Sequence, residues 1–401
     1  MKQMKKWWLA VLAALLVAGL LAGCGGGDEG AAAAAGGSAA EPEEEQVTPI
    51  YPLTGEVAPD KKATEARIIS VKIENTPEAR PQLGVVDADV VYESITEGGI
   101  TRFNCLYQST VPEEVGPVRS ARDSDMSIVP EYNAFFFFSG ANDLVWARLA
   151  TTAINEMSHN SASDLYHRVD TRTAPHNLYL DIGETYETAA KMGYNPIELT
   201  PRTLEFDAYE FAEDGSASVV EYNTAGLQEA VEFEIPFSTA TYNVQWAYAD
   251  GGYTRSVQDK VQADEATEEP VRVQNVVVLW QDYVPAADIP GKGQTYNIDM
   301  TGSGDCCVYR GGVKILGRWQ SDGETPPRFV DAEGNPIPLA IGKTWFEILP
   351  TGVEVVQTAP TDGAAEAAED VGEAGEDAAE GDPALEEGAV SPQTPGEEVE
   401  D

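Results

Sequence analysis

The chain has 401 residues, of which 68 are acidic and 25 basic, so its formal net charge at neutral pH is −43. This acidic excess argues against nucleic acid as a partner and against binding of anionic lipid through a polybasic segment. It also makes any local cluster of arginines conspicuous.

Residues 1–24 have the pattern of a bacterial export signal. Three lysines precede an apolar run, Trp7–Leu20, and the segment closes on Leu-Ala-Gly-Cys at 21–24. This tetrapeptide resembles the bacterial lipobox, in which the cysteine is lipidated and becomes the new N-terminus. Two acyl chains such as palmitate on Cys24 would anchor the protein at the outer face of the cytoplasmic membrane, because each buried CH₂ contributes about 0.8 kcal/mol. The alternative is an ordinary signal peptide or an N-terminal membrane helix with a chance cysteine.

Two low-complexity segments flank the central region. Residues 25–49 contain no basic residue and no apolar periodicity, which predicts a flexible, disordered stalk. Residues 357–401 contain fifteen acidic residues and no basic or aromatic residue, which predicts a disordered acidic tail.

Residues 50–215 alternate between strand and helix signals, so we predict an α/β or α+β N-terminal domain. Strand-like runs at 88–95 and 100–109 flank Glu97-Gly98-Gly99, which indicates a hairpin. The continuous apolar run at 134–142 is typical of a central strand covered on both faces. Helices are expected over 143–157 and over 183–193, the latter stopping at Gly193.

Residues 216–356 predict a mostly β C-terminal domain. Five β-type runs follow one another, and Asp-Gly-Gly, Arg-Gly-Gly and Glu-Gly-Asn turn signals lie within them.

Three cysteines remain besides Cys24. Cys105 shares a strand face with Phe103 and Tyr107, which predicts a small buried residue. A bridge to Cys306 or Cys307 is the alternative and would leave one thiol over. No Cys/His spacing fits a zinc site and no nucleotide-binding motif is present, so neither a metal nor a cofactor is predicted.

The segment Gly-Pro-Val-Arg-Ser-Ala-Arg-Asp, residues 116–123, is the first candidate site. Ser120 and Asp123 fit a capping box, which would place Arg119 just before a helix and Arg122 in its first turn. Cations there oppose the helix dipole at a cost of about 0.3–1 kcal/mol each, and a bound anion removes that conflict. The alternative is that both arginines pair with internal carboxylates.

A second candidate is the polar segment 167–179, which contains Arg172, His176 and Asn177 and has no clear periodicity. His176 is the best-placed general acid or base because imidazole titrates near neutral pH. Glu93 and Glu97 form a candidate carboxylate pair on either side of the hairpin turn.

Three separated motifs occur in order: residues 73–103, residues 116–123 and Arg-Thr-Ala-Pro-His-Asn-Leu-Tyr at 172–179. Together they resemble the YerB-like bacterial lipoproteins, and stretches in 275–350 are similar to that family's C-terminal domain. The resemblance covers about residues 50–352 and leaves out the acidic tail. It implies a two-domain lipoprotein of the Gram-positive cell envelope, and the family has no assigned biochemical activity.

The primary hypothesis is therefore a membrane-anchored extracytoplasmic lipoprotein that binds or scaffolds an anionic envelope component, such as a peptidoglycan carboxylate or a polymer phosphate, or a cell-wall partner protein. The expected contacts are Arg102, Arg119, Arg122, Arg172, His176 and Asn177. The alternative is a glycan or phosphodiester hydrolase that uses Glu93 or Glu97 with His176. A purely structural role is the third reading, and the sequence does not indicate an oligomeric state.

Overall fold

The computed structural model describes residues 48–198, 200–212, 216–237, 242–289 and 293–357. The predicted export signal, the lipidation site Cys24, all but the last two residues of the stalk, and the acidic tail after Gln357 lie outside the described residues.

Helices are short throughout the described chain, and none of them is long and apolar enough to cross a membrane. The α-helices are α1 (Lys61–Glu65), α2 (Asp125–Glu131), α3 (Asp143–Leu149) and α4 (Thr185–Lys191). Single 3₁₀ turns occur at Pro77–Ala79, Val85–Asp87, Glu97–Gly99, Ser163–Leu165 and Ile182–Glu184.

Strands dominate, above all after residue 216. Those of the N-terminal half (48–212) are β1 (Ile69–Glu74), β2 (Val90–Ile95), β3 (Thr101–Tyr107), β4 (Phe135–Phe137), β5 (Asn155–Glu156), β6 (Tyr166–Arg168), β7 (Leu178–Leu180) and β8 (Ala208–Phe211). Those of the C-terminal half (216–357) are β9 (Ala217–Val220), β10 (Gln228–Glu229), β11 (Glu232–Ile235), β12 (Val244–Ala249), β13 (Gly252–Val257), β14 (Lys260–Val261), β15 (Arg272–Val273), β16 (Asn275–Gln281), β17 (Val284–Ile289), β18 (Gly293–Asn297), β19 (Gly302–Arg310), β20 (Val313–Ser321), β21 (Arg328–Val330), β22 (Thr344–Pro350) and β23 (Val356–Gln357). The prediction of a mixed N-terminal domain and a mostly β C-terminal domain is confirmed.

One sheet of eleven strands runs through both halves in the order β10-β20-β19-β16-β22-β2-β3-β1-β4-β5, with β21 added at β20. The halves join where β22 lies between β16 and β2 and pairs in parallel with both. The predicted boundary between residues 215 and 216 falls between the paired strands β8 and β9 and stays a prediction.

Each face of this sheet carries its own hydrophobic core. On one face the second sheet, β14-β13-β12-β11-β23 with β15, contributes residues such as Phe233, Trp246 and Tyr253. On the other face α2 and α3 contribute Met126, Ile128 and Val145. Because strand side chains alternate, each central strand supplies both cores.

Several local predictions are confirmed. Strands β2 and β3 form an antiparallel hairpin around Glu97–Gly99, and both glycines have the positive φ that such turns favour in glycine. In β4, Phe135 and Phe137 enter one core and Phe136 the other, as expected for a strand covered on both faces. Helix α3 ends at Leu149, well before the predicted residue 157, whereas α4 is followed by Gly193 at φ +83°.

The cysteines of the described region are free thiols. Cys105, Cys306 and Cys307 are all buried. Burial raises the pKa of the Cys105 thiol to about 12, so it stays protonated as a small core residue.

The predicted helix start at Ser120 is wrong. Helix α2 begins at Asp125, and Asp125 Oδ2 accepts a hydrogen bond of 2.6 Å from the Arg122 amide. The preceding residues are extended because their backbone pairs with two distant segments: Arg119 N donates to Lys72 O at 2.9 Å and Ala121 N to Gly140 O at 3.0 Å. Arg119 and Arg122 therefore lie before the helix and not in its first turn, so the predicted conflict with the helix dipole is absent.

Candidate anion-binding site

The candidate site lies at the end of the large sheet where β1 stops and β3 starts. Glu74, the last residue of β1, is the cross-strand partner of Arg102, so both side chains project from the same face. The hairpin turn with Glu97, the extended segment with Arg119 and Arg122, and the loop with His176 approach them, as their contacts show.

The carboxylate of Glu74 holds the site together. Its Oε1 atom lies 3.0 Å from His176 Nδ1, 3.1 Å from Thr76 Oγ1 and 3.2 Å from Arg119 Nε. Its Oε2 atom is buried and has no hydrogen-bond partner among the described residues. One buried carboxylate thus fixes a loop histidine and an arginine from another segment.

Arg122 is paired with the hairpin turn. Its Nε and Nη2 atoms donate to Glu97 Oε2 at 2.9 and 2.6 Å. Burial acts to raise the pKa of Glu97, but the charge and hydrogen bonds of Arg122 outweigh it and hold that pKa below its usual value. Arg122 Nη1 also donates to Ser120 O at 3.2 Å.

Arg102, Arg119 and Arg122 form an arginine cluster, and Arg102 is the member without a carboxylate partner among the residues that the structure describes. It is only 8% exposed, and its Nη1 atom donates to the Ser120 carbonyl at 3.0 Å, the acceptor that Arg122 also uses. Within the described chain its guanidinium forms no other hydrogen bond and no ion pair. Burial first, and then the charges of Arg122 and Arg119, lower the pKa of Arg102 to about 9. The charges of Glu97 and Glu74 act against this shift but form no ion pair with Arg102. A buried cation without a paired counter-charge is costly unless an anion binds to it.

A second buried ion pair lies behind the arginines on the same sheet face. Lys72 Nζ donates to Asp125 Oδ1 at 2.8 Å, and both side chains are at most 1% exposed. Asn104 Nδ2 donates to the same oxygen at 3.0 Å. Since Asp125 Oδ2 accepts from the Arg122 amide, this pair also anchors the arginine segment.

The charges of this region do not balance within the described residues. Four basic groups face three carboxylates; the former are Lys72, Arg102, Arg119 and Arg122, and the latter Glu74, Glu97 and Asp125. In a chain with a net charge of −43, this local positive excess favours an anionic ligand.

Two of the predicted contact residues have their partners outside the arginine cluster. Arg172 Nη2 lies 3.2 Å from Glu265 Oε1 of the C-terminal half, and its Nη1 donates to Glu78 O at 2.9 Å. Asn177 accepts from Arg168 Nη1 at 2.7 Å and donates to Val169 O at 3.0 Å, which closes its own loop. These contacts fit a structural role in positioning the loop that carries His176.

Glu93 lies on the opposite face of the sheet. Its neighbour Ser94 is the cross-strand partner of Arg102, and adjacent strand residues point to opposite faces. Fully buried, Glu93 accepts hydrogen bonds from Arg255 Nη2 at 2.6 Å and Thr101 Oγ1 at 2.6 Å. The structure therefore does not bring Glu93 and His176 together, and the carboxylate that contacts His176 is Glu74.

Glu74, Lys72 and Asp125 were missed as members of the site. A signal was present, because Ser70, Lys72 and Glu74 alternate with Ile69, Val71 and Ile73 in a strand that is buried on both faces. Charged residues on a buried strand face need partners. In the described chain no group of three or more His, Cys, Asp or Glu side chains is placed to hold a metal ion.

Comparison with known proteins places both halves in one family. Residues 53–195 match the family model "Protein of unknown function (DUF3048) N-terminal domain", and residues 233–346 match the corresponding C-terminal domain. The protein named "Putative lipoprotein YerB" from Bacillus subtilis (strain 168) is 30% identical over 302 residues, which span 75% of this chain and 86% of that protein.

The chain belongs to the YerB-like DUF3048 family. The crystal structure of YerB protein from Bacillus subtilis superposes with a TM-score of 0.67 at 27% sequence identity, covering 77% of this chain and 99% of that one. The family description assigns no activity, so the arginine cluster has to be interpreted on its own geometry.

Proposed function

We propose that this YerB-like protein is an extracytoplasmic lipoprotein, anchored through Cys24 at the outer face of the membrane, that binds an anionic group of the cell envelope. The name of the Bacillus subtilis relative and the Leu-Ala-Gly-Cys sequence support the lipoprotein part. The anionic group would belong to an envelope polymer, peptidoglycan or a cell-wall partner protein.

The anion-binding part of the proposal rests on Arg102. Its guanidinium is buried beside two further arginines, and no carboxylate of the described chain pairs with it. Arg119 and Arg122 each have one carboxylate partner, so the cluster keeps one uncompensated cation. An incoming anion would supply the missing charge and accept the unused guanidinium donors.

Hydrolysis by Glu93 or Glu97 with His176 is less favoured. Glu93 lies on the other sheet face, and Glu97 accepts two hydrogen bonds from Arg122, which leaves it poorly suited to take up a proton.

Calorimetric titration of the purified full chain in detergent with inorganic phosphate and with acetate tests the proposal. We expect saturable binding of at least one anion and a loss of about tenfold or more in the Arg102→Gln variant, because a charge-assisted contact is worth about 1.5–3 kcal/mol. Arg318→Gln, which removes an exposed arginine that pairs with Asp305 outside the site, is the matched control and should bind like the parent.

Circular dichroism melting verifies that both variants are folded. Absence of saturable binding to either anion, or equal binding by a folded Arg102→Gln variant, would overturn the proposal.

A further inference from the structure

His176 has a partly exposed imidazole held by a buried carboxylate. Its side chain is 23% exposed, that of Glu74 is 1% exposed, and the Nδ1–Oε1 distance is 3.0 Å. A carboxylate at this distance favours the tautomer with hydrogen on Nδ1, in which Nε2 carries no hydrogen unless the ring is protonated. The Nε2 atom has no hydrogen-bond partner among the described residues and is free for a ligand.

The groups around His176 come from three elements. Glu74 ends β1, Thr76 follows it with Oγ1 at 3.3 Å from Nδ1, and Arg119 of the extended segment shares the Glu74 oxygen. Arg119 Nη1 also donates to the Pro175 carbonyl at 3.4 Å, next to His176 in the chain. Arg102 is the cross-strand partner of Glu74 on β3. Among the described residues, the charged groups that contact the imidazole or its carboxylate partner are Glu74 and Arg119.

We infer that the anion site takes a tetrahedral phosphate group, and that His176 binds it in the protonated form. This inference rests on the proposed anion-binding function. The donors Arg102, Arg119 and His176 belong to three different elements, a strand, the segment before α2 and a loop. An oxyanion whose oxygens point in several directions can use donors from several elements better than a planar carboxylate can. Glu74 then offsets the imidazolium charge, and ligand binding is coupled to uptake of a proton.

Titration with sulfate tests whether ligand binding is coupled to uptake of a proton by His176. Sulfate stays a dianion over the whole pH range in which histidine titrates, so a change of affinity with pH comes from the protein and not from the ligand. The full chain in detergent is titrated with sulfate at intervals from pH 5.5 to 8.5. We expect the affinity to fall about tenfold as the pH rises, because Nε2 donates to the anion only while it carries a hydrogen.

Two histidine variants test whether His176 causes the pH dependence of the sulfate affinity. His176→Gln keeps a hydrogen-bond donor and removes the titration, so its sulfate affinity should be nearly independent of pH. His167→Gln is the matched control, since His167 contacts Glu114 and Asp181 and lies outside the cluster. It should keep the pH dependence of the parent.

Acetate and two phosphate sources test the ligand class at pH 6. Glycerol 3-phosphate in solution presents a phosphate monoester, and vesicles containing phosphatidylglycerol present a phosphodiester in a lipid headgroup. Binding to either at an affinity above that of acetate supports the inference. Stronger binding of acetate, or sulfate binding that does not change with pH in the parent, overturns it while leaving anion binding intact. Absence of binding to every anion refutes the proposed function itself.

Discussion

Arg255 and Glu93 form an ion pair in which neither side chain is exposed, with Nη2 and Oε2 2.6 Å apart. The pair joins the second sheet to strand β2 across one core, and the guanidinium carbon of Arg255 lies 4.8 Å from the ring centre of Trp345. Glu93 thus takes part in a contact across this core, and its partner is remote in sequence.

We expect Arg255→Met to destabilise the protein by about 3–5 kcal/mol, because it leaves the buried Glu93 carboxylate without a counter-charge. Urea unfolding followed by tryptophan fluorescence measures the change. Arg318→Met removes the exposed ion pair with Asp305 and should cost less than about 1 kcal/mol. Equal decreases in the free energy of unfolding of both variants would show that burial does not increase the contribution of the Arg255–Glu93 pair to stability.

Glu347 should make stability depend on pH. It pairs with Glu93 across β2 and β22, and its Oε2 atom meets no donor, so a proton on Glu347 completes the contact between the two carboxyl groups. Burial first, and then the charge of Glu93, raise the pKa of Glu347 well above its usual value. The folded chain therefore keeps a proton that the unfolded chain releases above about pH 4.3.

It follows that Glu347 contributes its stability at low pH and loses it as the pH rises, by up to about 1.4 kcal/mol per pH unit. Glu347→Gln keeps the hydrogen-bonding shape without the titration, so the free energy of unfolding of the variant minus that of the parent should grow between pH 5 and pH 7. The exposed Glu187→Gln serves as control and should give a constant difference. A constant difference for Glu347→Gln as well would contradict the assignment.

Glu97 should limit anion affinity. Glu97→Gln removes the charge that partners Arg122 and raises the positive excess of the cluster, so sulfate affinity should increase roughly fivefold, equivalent to about 1 kcal/mol. Calorimetric titration measures it. Glu187→Gln, at an exposed position of α4 outside the site, should leave affinity unchanged. Weaker binding by a folded Glu97→Gln variant would mean that Glu97 positions Arg122 rather than opposing the ligand.

Gly304 has a packing role in β19. A Cβ atom there would clash with the Trp319 indole nitrogen and lie 2.7 Å from the Trp280 carbonyl oxygen. Gly304→Ala should therefore destabilise the protein by about 1–3 kcal/mol in urea unfolding. At Gly183 the nearest atom would be 3.6 Å away, so Gly183→Ala is the control and should be nearly neutral. No difference between the two would contradict the close packing at Gly304.

Local signals predicted the local structure well. The Glu97-Gly98-Gly99 turn needs only neighbouring residues and positive φ angles, so it could be predicted from a short window. The capping signal at Ser120 failed because backbone bonds from Arg119 to Lys72 and from Ala121 to Gly140 hold the segment extended. Long-range pairing decided between two conformations that the local sequence both allowed.

The site was harder to predict than the fold. Arg102, Arg119, Arg122 and His176 were chosen by residue type, but the histidine's carboxylate partner is Glu74, remote in sequence. The position of Glu93 on the far face follows from its register against β3, which no composition argument supplies. Strand pairing determines which charged residues come into contact, and this pairing cannot be read from a single sequence.

The place of β22 has a consequence for biogenesis. An exported chain emerges N-terminus first. One edge of β2 pairs with β3, and its other edge can pair only after Thr344–Pro350 of β22 have emerged. Until those residues arrive, the hydrophobic edge of β2 is open, and such an edge is a template for aggregation. Completion of the large sheet therefore requires nearly the whole described chain, and a product truncated before β22 leaves this edge of β2 unpaired.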